Sequence, residues 1–598
     1  MRRFPLFVYA VLLALPLISS AAPSGGPYGP IQQTYALPQV EGTIYYVSPE
    51  GDAAAAGTKL SAPTTIETAI ERVVTGDAIV LRGGTYRTGN LVFNQGITLQ
   101  PYADEQPILK GTKVVTPEAA YKQRNGLYRI KWDTLFYLPP QPWWRRESSG
   151  NKTPLWLFNN DMVFVDGKAL KTVGWEGDVE PGSFSVDYEH GNIYIDVDPA
   201  EHLVEITTFD NAFTRTTKEV HGKSNDGVGP IFRGLTMTQY AYRAIEIEGY
   251  DPEKISAESE HGKDIVGTTL EHCTITHCSR VAGYFRGDNM VFRHNLISDT
   301  STEGIFILAS NDTLLEKNIF RRNNVEGIEG YFPAAVKIFN QTRRVVVRDN
   351  LLYDNPGSNG IWYDVGNIDG VFINNWIQDS YNGFFFEISK GVTVAGNVFV
   401  NSGSWVLNSS GAKFYNNTYV NSIMRITRTP RSAQGDHFDW HPASGPDVDE
   451  RFGHVARNNL FFSDGGLLEA HNMVSVTQEA ELVDRLKNQT ATFDHNAYVR
   501  TSAGPTELIT WSPVATESGQ ATYATLGDLQ DVVETVDPNG VELSDYDGPI
   551  FRSMQLQRYD LSPAFPAATA AGTIPGDVAE LIGLDPAAGG APGAYGTW

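Results

Sequence analysis

Three segments of alternating character each carry one charged side chain among apolar and aromatic neighbours: AAVKIF at 334–339, GIWYDV at 360–365 and GFFFEI at 383–388. Side chains of an extended strand point alternately to its two faces. Trp362 and Asp364 therefore share one face and Tyr363 and Val365 the other. Phe385 and Glu387 oppose Phe386 and Ile388 in the same way. A carboxylate turned into a packed interior would be unpaired and costly, so Asp364 and Glu387 are expected to face outward, each beside an aromatic ring. Two carboxylates flanked by aromatic platforms suit sugar binding and glycosidic cleavage. If the strands are stacked neighbours, the carboxyl groups stand roughly 5 Å apart, the separation of a retaining glycosidase and too close for an inverting one. Lys337, expected on the side of Asp364 away from Glu387, would keep Asp364 ionised as the nucleophile. Glu387, in an aromatic run beside another carboxylate, would have a raised pKa and act as acid/base. The bland alternative is a surface ion ladder that only steadies the stack, against which the flanking aromatics argue.

Other residues are candidates to contact substrate. Trp362 and Phe385 flank the pair, and Lys337 adjoins it. Arg286, in GYFRGD, falls near the same ladder position two coils before Lys337, where it could hold a hydroxyl or carboxylate or be a plain outward charge. Glu303, in TEGIF, is a further pocket candidate. The long insertion at 435–454 brings His437, Asp439, Trp440, His441 and His454, and is expected to wall the substrate pocket, with His437, Trp440 and His441 in reach of sugar hydroxyls. Its His-x-x-x-His spacing raises metal binding only weakly on an irregular loop. The acidic DVDE run could hold a structural Ca²⁺, but its spacing is not that of an EF-hand. No cofactor or catalytic metal is expected. Trp143 and Trp144 could reach the groove or pack on the coil.

These strands need a scaffold that stacks them, and the chain supplies one. LEHCTITHCS, FRHNLISDT, LEKNIFRRN, VRDNLLYDN, INNWIQDS, AGNVFVNS, YNNTYVNS and RNNLFFSD align on Cys273, Asn295, Asn318, Asn350, Asn375, Asn397, Asn417 and Asn459, at spacings of 22, 23, 32, 25, 22, 20 and 42 residues. A period near 22 with variable insertions marks a parallel β-helix whose insertions are loops. An α-solenoid is excluded by period-two alternation rich in Val, Ile, Phe and Thr. Asn can take a left-handed turn and hydrogen-bond along a ladder. The expected fold is all-β: a right-handed parallel β-helix, with a β-sandwich-like insertion and a short N-terminal helix, within 64–73, capping the open end. The expected divisions are a signal peptide (1–22), an N-terminal cap and first coils (40–111), the insertion (112–212), the coils that carry the site (213–500) and a C-terminal cap or tail (501–598). Hairpin signals DG and HGN mark the insertion.

The N-terminus has two arginines, an apolar run from Phe4 to Ile18 and small residues to Ala22, the pattern of a secretory signal peptide. Its length disfavours the alternative of an uncleaved anchor. A secreted or periplasmic protein is expected, without membrane partners. The 598 residues carry a net charge of −24, which disfavours nucleic acid. The two cysteines, Cys273 and Cys278, are expected to be packed thiols. Oligomeric state is left open.

GIWYDV followed 23 residues later by the FFFEI glutamate resembles the catalytic pair of the β-helix glycoside hydrolases of family 120, the β-xylosidase family. That family also carries a β-sandwich-like insertion, which VFVDGKAL and SFSVDYEHGNIYI resemble. The resemblance implies Asp364 as nucleophile and Glu387 as acid/base, the same roles that the residues suggest. The leading expectation is a retaining, exo-acting hydrolase of a plant or algal oligosaccharide. A polysaccharide lyase or uronate epimerase, using Lys337, Arg286 and Tyr363, is the second reading, and the paired carboxylates would repel its substrate. A non-catalytic carbohydrate-binding solenoid is the third.

Overall fold

A computed structural model describes residues 25–139, 153–253, 255–329, 333–430, 451–466, 472–479, 482, 491–512, 520–585 and 590–597. Three 13-stranded sheets run the length of the molecule. The first begins at Ile44–Val47 and ends at Ala491–Asp494. The second, which carries the candidate site, begins at Leu91–Phe93 and ends at Ala521–Tyr523. The third begins at Gly84–Arg87 and ends at Val541–Leu543. Each coil contributes one strand to each sheet, and the strands pair in parallel with the next coil; only the last pair of the second sheet is antiparallel. This is a right-handed parallel β-helix. Inward residues of all three sheets form one continuous core, with Phe372, Phe384, Phe399 and Tyr419 among its rings.

The repeated asparagines form a ladder at one corner. The Asn350 side-chain oxygen accepts from the backbone N–H of Asn318 at 2.9 Å and from its side-chain amide at 3.0 Å. Asn350 Nδ2 donates in turn to Leu315 O and to Asn375 Oδ1. The pattern runs from Asn295 to Asn496, where Asp537 closes it. The left-handed residue at this corner is the one before the asparagine, such as His294, Lys317, Asp349 or Asn374. The ladder asparagine itself is extended and buried, because its amide must point along the axis to meet the next coil.

Three additions clothe the solenoid. The helix Ile66–Arg72, capped by the Thr65 side chain, lays Ile66, Ala69 and Ile70 on the open end of the core. Between Pro107–Lys110 and Asn211–Arg215 the chain builds a four-stranded and a five-stranded sheet around a core of their own, including Ile130, Phe184, Ile193 and Ile206. Pairing there is antiparallel except between Lys171–Val173 and Ser183–Asp187. Its Glu205 side chain is fully buried and held by Lys110 at 2.9 Å and Arg87 at 2.6 Å, both from the third sheet. The last 50 or so residues pack on the outside of the third and first sheets. Cys273 and Cys278 are both buried thiols.

Candidate active site

The second sheet presents two outward columns side by side. One runs Tyr284, Phe306, Lys337, Trp362, Phe385, Trp405, Arg425. The other runs Arg286, Leu308, Phe339, Asp364, Glu387, Leu407. Asp364 and Glu387 are direct partners in adjacent strands, Asn359–Asp364 and Asn382–Glu387. Side chains in this relation stand about 5 Å apart. Both are outside the coil yet only 8 % and 4 % exposed, so the pair is not a solvated surface ladder.

Lys337 departs from the expected stack. Its register partner is Trp362, one column over, and Phe339 is the residue level with Asp364. The count to the coil asparagine already carries this offset: 13 residues from Lys337 to Asn350 and 13 from Trp362 to Asn375, against 11 from Asp364. The long lysine stem spans the diagonal, and Nζ lies 3.1 Å from Asp364 Oδ2. The same ammonium sits 3.8 Å from the centre of the Trp362 ring, close enough for cation–π attraction.

The flanking aromatics are a second departure. Trp362, Phe385 and Trp405 stack face to face along the axis, with centroids 4.8 Å apart at each step. Lys337 covers the remaining face of Trp362. Trp362 and Phe385 thus offer ring edges, not open platforms, to a ligand. Repeating strands at 4.8 Å impose this: rings at one register position are within stacking distance before any ligand arrives.

Arg286 lies in the column of Asp364 but three strands away, about 14 Å along the axis. Its guanidinium is engaged by Glu246 at 2.9 Å and Asp251 at 3.6 Å, so it is part of an ion cluster apart from the pair. Tyr363 points into the core and donates to Val345 O, and burial raises its pKa, which removes it as an accessible base. Glu303 opens the strand Glu303–Leu308, and its backbone N–H donates to Arg280 O. It is 2 % exposed, and its Oε2 makes no hydrogen bond among the described residues. Burial pushes its pKa up to about 7 against the opposing effects of Thr302, Lys337 and Arg280. His437, Trp440 and His441, with Trp143 and Trp144, lie outside the described residues.

Sequence reasoning missed a neighbouring group. Arg280 Nε donates to Asn160 Oδ1 at 2.9 Å, and its Nη2 donates to Phe158 O, which ties the insertion to this edge of the second sheet. Glu326 is pushed up to about 7 by burial, opposed by Arg280. Asp161, in the insertion, is pushed up to about 6 by burial although Tyr188 donates to it at 2.7 Å. Arg280 Nη1, Glu326 Oε2 and Asp161 Oδ1 are, like Glu303 Oε2, buried and without a described hydrogen bond. Only the docking of a segment more than 100 residues away assembles this group, and no local pattern announces that. Trp405 was within reach, since GSWVL repeats the alternation one coil on. Among the described residues no cluster of three or more His, Cys, Asp or Glu is placed to hold a metal.

A family model for the right-handed beta helix region matches residues 225–342 and 263–419. No curated protein matches the chain. Among solved structures, the complex of XylC with xylose is 14% identical, over 86% of this chain and 88% of that one, with a TM-score of 0.54. Pectate lyase Pel9A is 12% identical over 97% and 99%, with a TM-score of 0.38. The A-module of mannuronan C-5 epimerase AlgE6 from Azotobacter vinelandii is 12% identical over 79% and 91%, with a TM-score of 0.40. At these identities the likeness is one of fold.

Proposed function

We propose that this chain is a secreted, retaining, exo-acting glycoside hydrolase, of the β-xylosidase kind found in family 120, acting on a plant or algal oligosaccharide. The observation that carries the reading is the direct pairing of Asp364 with Glu387 on the outer face of the second sheet. Carboxylates on adjacent strands, about 5 Å apart by strand spacing, suit a covalent glycosyl-enzyme better than single displacement, which needs a wider gap for water. In this reading Asp364, paired with the Lys337 ammonium, attacks the anomeric carbon. Glu387 gives its proton to the leaving oxygen, then takes one from the water that releases the sugar. Arg286 is held in its own ion pair with Glu246 and Tyr363 points inward, which weakens a lyase or epimerase reading built on those two residues. Xylose, the sugar bound in the XylC structure, is the first sugar to try.

The test is turnover of a panel of aryl glycosides, xyloside and arabinoside first, by the wild type, Glu387→Gln and Asp364→Asn. One glycoside should be cleaved with retained configuration, and each substitution should lower kcat by about 10²–10⁴-fold. A folded wild-type protein that cleaves none of the panel, or an unchanged rate in both variants, would overturn the assignment.

A further inference from the structure

The insertion holds a cavity of about 300 Å³. Its floor is the single turn Leu155–Phe158, which supplies Leu155 and Trp156. Its walls are Tyr137, Leu138, Thr172, Val173, Val186 and Tyr188. Gly174 makes room for the indole: a Cβ there would stand 2.5 Å from Trp156 Nε1. Tyr137 and Tyr188 meet at 5.3 Å with rings inclined by 57°, and Tyr137 is 58 % exposed. The polar groups are of one kind. Asn159 spends its oxygen on the Leu138 N–H at 3.0 Å, which turns its amide nitrogen outward as a donor. The Trp156 indole N–H and the Thr172 hydroxyl have no hydrogen-bond partner described either. None of the lining residues is charged. Apolar and aromatic walls with a few converging uncharged donors are the chemistry of a neutral, hydroxyl-rich ligand. Among the described lining residues a uronate would find no cation.

The cavity is also fixed relative to the carboxylate pair. Arg280 holds the carbonyl of Phe158 and the side chain of Asn160, directly beneath the cavity floor. Its own carbonyl accepts from Glu303 N–H at 3.0 Å, and Glu303 lies within the field of Lys337, which touches Asp364. On the opposite wall Tyr188 donates to Asp161. The segment that floors the cavity is therefore bonded to the edge of the sheet that carries the pair.

We infer that this cavity is a distal subsite for a neutral sugar unit of the oligosaccharide whose end is cleaved at Asp364 and Glu387; the inference rests on the glycosidase reading. It makes the insertion a specificity element that selects chain length and rejects acidic units. Two variants test it. Val173→Trp fills the cavity, and Tyr137→Ala removes an exposed wall whose ring meets Tyr188. Both should keep kcat/KM on the single-sugar aryl glycoside within twofold and raise KM for a four-unit neutral xylo-oligosaccharide at least fivefold with kcat unchanged. Calorimetric titration of that tetrasaccharide into the Glu387→Gln protein, with and without each change, reads binding independently of turnover. A loss of affinity of at least fivefold on filling the cavity supports the subsite even if no aryl glycoside is cleaved. Equal affinity with the cavity open and filled overturns it, whatever the hydrolysis assays show. Equal binding of a uronic-acid tetrasaccharide overturns the assignment to neutral units.

Discussion

Charge placement around the pair follows from side-chain length as much as from position. Lys337 is a column away from Asp364 and still reaches it, because a four-carbon stem covers the diagonal of one strand spacing and two residues. Alternation made the outward face of Asp364 and Glu387 legible in the sequence, and the spacing of 23 residues made their pairing legible. The aromatic platforms were misread, because stacking between coils consumes the ring faces. The acidic residue with the most perturbed environment near the pair is Glu303. Its pKa of about 7 in the folded chain lies above the ordinary 4.5, so the protonated form is the one that folding favours. Stability from this group is full below the unfolded value and is lost as pH rises from about 4.5 to 7. Glu303→Gln keeps the shape and removes the charge. It should raise stability at pH 8 by on the order of 2–3 kcal/mol and leave it unchanged at pH 4. Denaturant unfolding at the two pH values reads this; an equal effect at both would mean that Glu303 is charged in the folded protein.

Elements in this molecule are short, and what sets their order is the ladder that joins one coil to the next. Asn350 has both amide groups committed to neighbouring coils and is fully buried. Asn350→Ala strands the Asn318 N–H and removes the amide donor to Leu315 O, while the backbone N–H at 350 still serves Asn375 Oδ1, and should cost about 3 kcal/mol. Hydrogen exchange of the flanking amides, Asn318 and Leu351, should quicken together. If only the global midpoint moved and these amides stayed protected, the ladder would not be a local clamp. The repeat of asparagine was visible in the sequence, but the left-handed residue was assigned one place late, since both residue types at the corner are polar. Two of those corner residues, His272 and His294, stack with ring centroids 4.9 Å apart. The backbone N–H of Ile31, in the N-terminal arm, donates to His272 Nδ1 at 3.2 Å. Burial first holds both histidines below the ordinary value, helped at His272 by the charge of His294, Arg293 and Arg233 against Glu271, and at His294 by Lys317 and Arg293 against a backbone hydrogen bond with Gly29 and the charge of Glu316. Folding with the arm docked thus favours the neutral form of both rings. The docking energy is complete above about pH 6.5 and falls as the solution is acidified below it. Protease should cut within 25–40 faster at pH 5 than at pH 7.5, after correction for its own pH profile, and His272→Gln, an acceptor that does not titrate, should flatten the difference.

At the scale of the whole chain, the period and the β-rich alternation made the solenoid readable, whereas the way distant segments cover it was not. One signal of that covering was nevertheless present. The outward column of the third sheet reads Thr276, Ser298, Arg321, Tyr353, Gln378, and then turns apolar at Val400, Val420, Phe462, Val499 and Leu543. A solvated strand face does not make that change. In the structure the apolar part lies under Ile550, Phe551, Tyr559, Leu561, Phe565 and Tyr595. The C-terminal segment is therefore the lid of a second, outer core, and the sequence that needs it lies about 150 residues upstream. Coils interact chiefly with their neighbours, and the site is on a different sheet from this patch. Removing residues 545–598 should accordingly leave the pairing of Asp364 with Glu387 in place while exposing a continuous apolar strip. The truncated protein should bind a hydrophobic dye and self-associate in light scattering at micromolar concentration, with turnover per folded molecule within a few-fold of the intact chain. A milder version, Phe565→Ala, should lower the stability of the segment by about 3–4 kcal/mol and expose it to protease first. A truncated chain that stays monomeric and dye-free would mean that the strip is covered in some other way, and that the segment is an appendage, not a lid.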